Sequence, residues 1–540
     1  MKTLRFFIFL LIIFGFTMLS IYMAEKTDVL GLGQMELAAS FQKMDGGRMV
    51  LSWERLPYPC FYKVESFSRT TGTIEGGEEE HSFGSGYTFR SSYEVPTTAI
   101  PMFYRVTAYG MFGKLAGPSE PVDHPNYSEP LAPVSIFHYT EERPASLKPY
   151  LVWHVVPNAV CYEVELLSGP PDQEGGTALS QSNHLDSTRQ VFTNGWQADL
   201  RGYEGRKVVY WRARALGLHH EPIGVFSKAE PIVLDKDRPM PDAPLINNFD
   251  YMPDFQQPLY PAYAWIPMNG IAAYEVELMI RPPKEPNGTE PDPERIWYLK
   301  SLDSFSCYDE YPRPYAGEYY WRVRAVDKDG KTIGHYSDAE EFIVREHKPR
   351  VYAAVFGDSV VHGGGALSYA PCSLEYNFST YLDFPVINLG CSGDTSGTSL
   401  KRFDEDVLRF HPLNLIILTG SNSLRAEHIS AEDVINDLKE IRRKCEEHDI
   451  RPVFLTLMPL NPKNIEAAFR TPTDPDWEEK MEEINRFIRK QEYYVDIEPY
   501  FFDPRHSGMD YRLSVDGLHP DLKGKMIIAE AINKNKDMLR

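Results

Sequence analysis

Apolar and polar residues follow two different periods along the chain, and the change comes near residue 348. In the first two thirds, short stretches alternate apolar and polar positions, as in "YKVESF" from Tyr62, "YEVELL" from Tyr162 and "YEVELM" from Tyr274. Period two predicts strands that bury one face. A second set follows each of these: "FYRVTAYG" from Phe103, "YWRARALG" from Tyr210 and "YWRVRAVD" from Tyr320, in which Arg105, Arg212 and Arg322 are expected to face away from the core. Beyond Lys348 the runs become continuously apolar: "VYAAVFGDS", "FPVINLGCSGDTS", "LNLIILTGSNS", "RPVFLTLMP" and "YYVDIEPYF". Between them lie "SAEDVINDLKEIRRKCEEH" and "DPDWEEKMEEINRFIRKQE", with apolar residues three and four apart and acidic residues in the first turn, which predicts amphipathic helices. Strands alternating with helices imply a three-layer α/β unit around a parallel sheet, whose ligands bind at the carboxyl ends of the strands.

The strand-rich part repeats. Trp53, Trp153 and Trp265 each precede a tyrosine (Tyr62, Tyr162, Tyr274) by nine positions, and they recur about 100 to 112 residues apart. Each repeat closes on a serine near its last strand, in "GPSEPV", "VFSKAEPIVL" and "HYSDAEEFIV". A period this long with Pro-rich joints fits separate all-β sandwiches rather than a solenoid. The early Trp, the aromatic-led late strand and the closing Ser resemble fibronectin type III domains, at residues 36–126, 127–237 and 238–348. That resemblance implies spacing and contact with protein or glycan, and the recurring aromatics are expected to pack in the cores. Pro-rich seams near 125–134, 235–244 and 345–353 would stiffen the linkers into a rod that carries the α/β unit, residues 349–540, at its tip.

Composition narrows the partners. Lys and Arg number 56 against 77 Asp and Glu, and a formal charge of -21 over 540 residues repels a phosphate backbone, so nucleic acid is excluded. Six cysteines without a C-x-x-C pair argue against a zinc ribbon or a disulfide scaffold, and Cys60 and Cys161 occupy equivalent positions of different repeats. No ligand spacing for a metal is present, and no cofactor is expected. Lys2 and Arg5 precede an uncharged run over residues 6–24, long enough to cross a bilayer. Residues 1–24 are therefore read as an export signal. As an uncleaved signal anchor it would hold the protein on the cell membrane with its bulk outside the cytoplasm; as a cleaved signal peptide it would release a secreted protein.

The chemistry concentrates in residues 349–540. Ser359 follows the first apolar run, Gly393 the second, Asn422 the third, and Asp516 with His519 in "SVDGLHPD" the fifth. A hydroxyl nucleophile, an imidazole base, an orienting carboxylate and oxyanion donors are the inventory of acyl transfer. A serine hydroxyl alone is a weak nucleophile, and "DGLHP" alone reads as a capped turn. The α/β-hydrolase elbow G-x-S-x-G is absent from the sequence.

"FGDSV", "NLGCSGDTS", "TGSNS" and "DGLHP" stand in the order of the four signature blocks of the SGNH hydrolases, or GDSL esterase/lipase family, and the chain resembles that family over essentially all of residues 350–540. The resemblance implies a serine esterase with Ser359 as nucleophile, His519 as general base and Asp516 as its partner. It implies an oxyanion hole from the N–H groups of Ser359 and Gly393 and the side-chain amide of Asn422, with Asp358 holding the nucleophile turn. The third block usually continues with Asp, where this chain has Ser423, which leaves the bonds of that Asp in doubt. Cys391 is expected to be a small buried filler and His362 a wall residue rather than a second base. With no long apolar lid, the expected substrates are short-chain esters, such as acetyl groups on envelope or environmental polysaccharide. Residues 349–540 are expected to suffice for small soluble esters. Two alternatives remain at this level: a surface adhesion or scaffold protein with an inactive hydrolase domain, and an acyltransferase that shares the acyl-enzyme.

Overall fold

The structure, a computed structural model, describes residues 37–43, 49–57, 60–71, 78–95, 103–110, 113–123, 131–248, 257–271, 273–302, 305–347, 350–364, 376–503 and 508–540. The N-terminal apolar run lies outside them. Among the described residues no helix is long and apolar enough to cross a membrane. The chain forms two compact units, Met1–Leu131 and Ala132–Arg540.

In the first unit, Ala39–Lys43, Met49–Trp53 and Ser92–Val95 make one antiparallel sheet. Glu78–Thr88, Phe61–Thr71, Phe103–Gly110 and Gly113–Ala116 make a second, in that order. Leu51 and Trp53 from the one pack on Tyr62, Val64, Tyr104 and Val106 from the other. The second unit holds the same plan twice. Its first copy pairs Tyr150–Val152 with Gly195–Gln197 and sets His184–Val191, Cys161–Leu167 and Val208–Leu216 side by side. Its second does so with Leu245–Ile246, Ala262–Ile266 and Ser306–Tyr308 against Trp297–Leu302, Ala273–Met279 and Gly317–Val326.

The recurring residues have recurring jobs. Each Trp meets its Tyr at ring centroids 5.1, 5.1 and 5.4 Å apart. Each Tyr hydroxyl accepts the N–H six residues back, from Leu56, Val156 and Met268. Each closing Ser accepts a strand N–H: Ser119 from Val106, Ser227 from Ala213 and Ser337 from Val323. The alternation therefore marks an aromatic frame that ties the early strand to the late one.

Arg212 and Arg322 do point away from the aromatic core, as expected, yet that face is not open to solvent. Arg212 and Arg322 are buried, because "SGPPDQEGGTALS" and "RPPKEPNGTEPDP" fold across that face and offer backbone carbonyls. Arg212 donates to Glu165 at 2.7 Å and to the Gln173 and Ala178 carbonyls, and Arg322 to Glu277 at 2.8 Å and the Glu285 carbonyl. A Glu and an Arg facing each other across neighbouring strands lose water together, and their hydrogen bonds offset that cost.

In residues 350–540, strands β1 (Ala353–Gly357), β2 (Ile387–Gly390), β3 (Asn414–Leu418), β4 (Arg451–Leu455) and β5 (Tyr494–Val495) form a wholly parallel sheet in the order β2-β1-β3-β4-β5. Helices α1 (Ser359–His362), α2 (Ser396–Phe410), α3 (Ser421–Arg425), α4 (Ala431–Glu447), α5 (Pro462–Phe469), α6 (Trp477–Ile488) and α7 (Leu522–Lys534) follow in chain order. Helices α2, α4 and α6 pack in a row, while α7 packs on the turn Phe378–Tyr381. Right-handed crossovers place those two groups on opposite faces. The strand order reverses beside β1, so the loops after β1, β2 and β3 meet at the centre of the sheet's carboxyl edge.

The expected rod is not formed within Ala132–Arg540. Leu259 and Tyr260 are part of the α/β core, and the Leu259 N–H donates to the Asn388 carbonyl at 2.9 Å. Tyr260 Oη donates to Asp406 at 2.8 Å. Val160 packs with Tyr376 and Val515, and Tyr511 Oη donates to Glu221 at 2.5 Å. Apolar side chains of both sandwiches have found partners in the α/β layers, and each such burial stabilises by about 1.5 to 3 kcal/mol.

Candidate active site

Ser359 opens α1 two positions beyond β1, where its N–H has no intrahelical acceptor. Asp358 caps that helix: its carboxylate accepts from Val360 N at 3.0 Å and from Ser421 N at 3.2 Å, tying the turn after β1 to the one after β3. Burial pushes the Asp358 carboxyl above its ordinary value, against those two N–H groups. Below the turn, Lys525 of α7 is fully buried and donates to the Val360 carbonyl at 2.9 Å. Burial brings its ammonium down to about 7, opposed by the negative Asp358, Asp521 and Asp516.

Asp516 and His519 do not follow β5 directly; they lie in the turn just ahead of α7, about twenty residues later in sequence. The loop after β4 brings them in. Asn461 N donates to the Gly517 carbonyl at 2.9 Å and Asn464 Nδ2 to that of Val515 at 2.9 Å. Gly517 sits at φ 78°, where a Cβ would come 2.6 Å from the Asn461 carbonyl, so the bend needs glycine. Ser359 Oγ is 2.9 Å from His519 Nε2, and His519 Nδ1 is 2.8 Å from Asp516 Oδ2. The carboxylate can only accept, so Nδ1 carries the proton and the Nε2 lone pair faces the hydroxyl. Asp516 also accepts from the N–H groups of Leu518 and His519 at 2.8 and 2.7 Å. Burial alone would raise its pKa; His519 and those two N–H groups more than offset this and hold it below the ordinary value.

Gly393 follows β2 in a turn with φ 89° and is exposed, and among the described residues its N–H meets no acceptor. Asn422 is the second residue of α3, and its Nδ2 donates to the Asp394 carbonyl at 2.9 Å, which ties it to the Gly393 turn. The neighbouring Ser423 keeps a bond to that turn: its Oγ accepts from Ser396 N at 3.1 Å, at the start of α2, while Ser396 Oγ donates to Asp437 at 2.6 Å. Cys391 packs partly buried against the core, and burial pushes its thiol up to about 11.

Sequence reasoning gave no role to three neighbours. Arg402, on α2, donates to Asp394 at 2.6 Å, to Asp406 at 2.9 Å and to the Gly357 carbonyl at 2.9 Å. Its four-residue spacing to Asp406 on a helix was the available signal. Phe469 sets its ring edge on His519 at 5.8 Å, and the Arg425 guanidinium lies 5.6 Å over Phe469. Nothing local in the sequence marks that pair.

His362 is no second base for Ser359. It is buried, with Nε2 2.7 Å from the Tyr260 carbonyl and Nδ1 2.8 Å from Ser392 Oγ. Burial, with Arg402 and Lys525 nearby, brings its pKa down to about 4, against the pull of the Tyr260 carbonyl. The unfolded chain takes up this proton near pH 6.5 and the folded one only near 4, so stability rises with pH across that window. The difference corresponds to about 3 kcal/mol, fully present above pH 6.5 and lost as the pH falls toward 4. Chemical denaturation between pH 4 and 7 should show the wild type losing up to about 3 kcal/mol more than a His362→Asn variant.

Residues 355–527 match the model of the GDSL-like Lipase/Acylhydrolase family, and this window contains all five candidate residues. The chain carries a GDSL-like lipase/acylhydrolase domain. It is a hydrolase that acts on ester bonds. The GDSL-like domain accounts for the α/β layers and not for the strands before them. No curated protein shows significant similarity to the chain. Among solved structures, a GDSL-like lipase from Bacteroides thetaiotaomicron is similar at 16% identity and a TM-score of 0.29, covering 34% of this chain and 87% of that one. A lipase/acylhydrolase from Enterococcus faecalis is similar at 20% identity and 0.29, covering 35% and 97%. A catalytic mutant of an acetylxylan esterase from Geobacillus stearothermophilus is similar at 16% and 0.27, covering 35% and 95%.

Proposed function

We propose that the protein is an exported serine esterase in which Ser359 attacks the ester carbonyl and His519 takes the Ser359 proton and returns it to the leaving alcohol. Asp516 holds the imidazole in the tautomer that can accept and stabilises the imidazolium that forms. The oxyanion is held by the N–H groups of Ser359 and Gly393 and by the Asn422 amide. Water then enters along the path of the departed alcohol, His519 deprotonates it, and the acyl group leaves Ser359 as the acid. The observation that carries this reading is the unbroken line of 2.9 and 2.8 Å contacts from Ser359 through His519 to a buried Asp516. An inactive domain would have no need to keep such a line, and Ser423, where the family usually has Asp, still accepts a bond from the start of α2.

The finer proposals rest on other features. Export, with the N-terminal segment either anchoring the protein to the membrane or being cut away, rests on the charged start and the apolar run of residues 6–24. The fibronectin type III identity of residues 36–126, 127–237 and 238–348 rests on the shared two-sheet plan and on the recurring Trp, Tyr and Ser bonds. A short acyl group, such as acetyl on a polysaccharide, rests on the lack of a long apolar lid in the sequence.

A panel of nitrophenyl esters with the full chain tests the substrate. Acetyl esters should turn over faster than octanoyl or longer ones, and the activity should vanish in Ser359→Ala; faster cleavage of the long chains would sink the short-acyl assignment.

A further inference from the structure

The proposed reaction gives His362 nothing to do, yet both of its ring nitrogens are committed and only 1% of the residue is exposed. A backbone carbonyl accepts and cannot donate, so the 2.7 Å contact to Tyr260 puts the proton on Nε2. Nδ1 is then a lone pair. It faces two donors of Ser392, the N–H at 3.1 Å and the hydroxyl at 2.8 Å. Ser392 is the residue before Gly393.

The same loop is held from its other end by Arg402, which donates to Asp394, and Asp406 receives both Arg402 and the Tyr260 hydroxyl. Tyr260, from the last β-sandwich, thus reaches the loop of residues 391–394 by two routes. Gly393 itself is exposed at φ 89°, and a Cβ there would meet no atom within 4 Å, so no side-chain packing of its own fixes where its N–H points. The direction of that donor has to come from its neighbours. An oxyanion donor displaced by about 1 Å costs on the order of 10²-fold in rate.

We propose that His362 is a positioning residue: the Tyr260 carbonyl locks its tautomer, its Nδ1 holds Ser392, and this fixes the Gly393 N–H toward the oxyanion, so that the last β-sandwich is a working part of the esterase site. The proposal rests on the reading of Gly393 as an oxyanion donor. Only the neutral imidazole can serve, since the imidazolium has no lone pair for Ser392, and the low pKa keeps it neutral throughout the useful range.

The test compares His362→Phe, which keeps the ring against Tyr308 but loses both bonds, with His362→Asn, which places an acceptor where Nδ1 stood, in the full chain. The Phe variant should lose about 10- to 100-fold in kcat with KM within about twofold, and the Asn variant should recover to within about fivefold of the wild type. In parallel, hydrogen exchange of the amides in residues 391–394 should speed up in the Phe variant and stay near wild type in the Asn variant. His362→Gln, whose Nε2 can still donate to Tyr260 but whose amide oxygen does not stand where Nδ1 stood, should behave as Phe does and replaces it if Phe does not fold. Wild-type kcat in the Phe or Gln variant, equal losses in Phe and Asn, or unchanged exchange would each overturn the proposal. The exchange arm stands even if the wild type cleaves no ester on the panel, an outcome that would count against the esterase reading instead.

Discussion

Ser359→Ala in the intact chain is expected to lower kcat on an acetyl ester by on the order of 10⁴- to 10⁶-fold while leaving the fold unchanged. The loss is large because the proposed mechanism makes the Ser359 hydroxyl the acceptor of the acyl group, and no other hydroxyl is within reach of His519 Nε2 among the described contacts. The fold survives because the change removes a single oxygen that faces the imidazole, while the cap from Asp358 and the Lys525 bond to Val360 stay in place. His519→Ala should fall as far, since serine and base act as one unit. Asn422→Ala should fall less, on the order of 10² to 10³ in kcat, as the loss of one oxyanion donor. Steady-state kinetics and labelling of Ser359 with an organophosphonate check the series; a Ser359→Ala protein that keeps more than about one hundredth of the activity would remove Ser359 from the mechanism.

The α/β layers were legible because each strand is a continuous apolar run and each candidate residue stands just beyond one. The loop after β1 delivers Ser359, that after β2 Gly393 and that after β3 Asn422, as the strand ends require. Asp516 and His519 were legible as a pair but misplaced, since periodicity ends at β5 and gives no account of the turn that Asn461 and Asn464 hold ahead of α7. The burial of Arg212 and Arg322 was hidden for a different reason: their alternation is that of a solvated face, and the covering loops are irregular Pro- and Gly-rich segments with no period to read. Hardest of all was the sandwich contribution to the site. The Tyr260 bonds span 102 and 146 positions, through a backbone carbonyl and a hydroxyl, and nothing in "PLYP" announces either.

These contacts reverse the expectation for the isolated hydrolase. A fragment of residues 349–540 is expected to lose nearly all activity even on small soluble esters, because it lacks part of its own core. Leu259 and Tyr260 would leave the cluster that holds Phe356, Leu389 and Phe403, and Val515 would lose Val160, at about 1.5 to 3 kcal/mol for each buried apolar side chain. His362 Nε2 and Asp406 would each lose a partner in a buried setting, at about 1 to 3 kcal/mol apiece. The total, roughly 6 to 15 kcal/mol, is as large as the whole stability of an ordinary domain. A fragment beginning at residue 132 retains every one of these contacts. It should therefore melt cooperatively and hydrolyse nitrophenyl acetate, whereas the 349–540 fragment should show a weak or absent thermal transition and little turnover. Wild-type kcat/KM in the shorter fragment would mean that the sandwich residues pack against a site already complete without them, and the His362 relay would then have nothing to transmit.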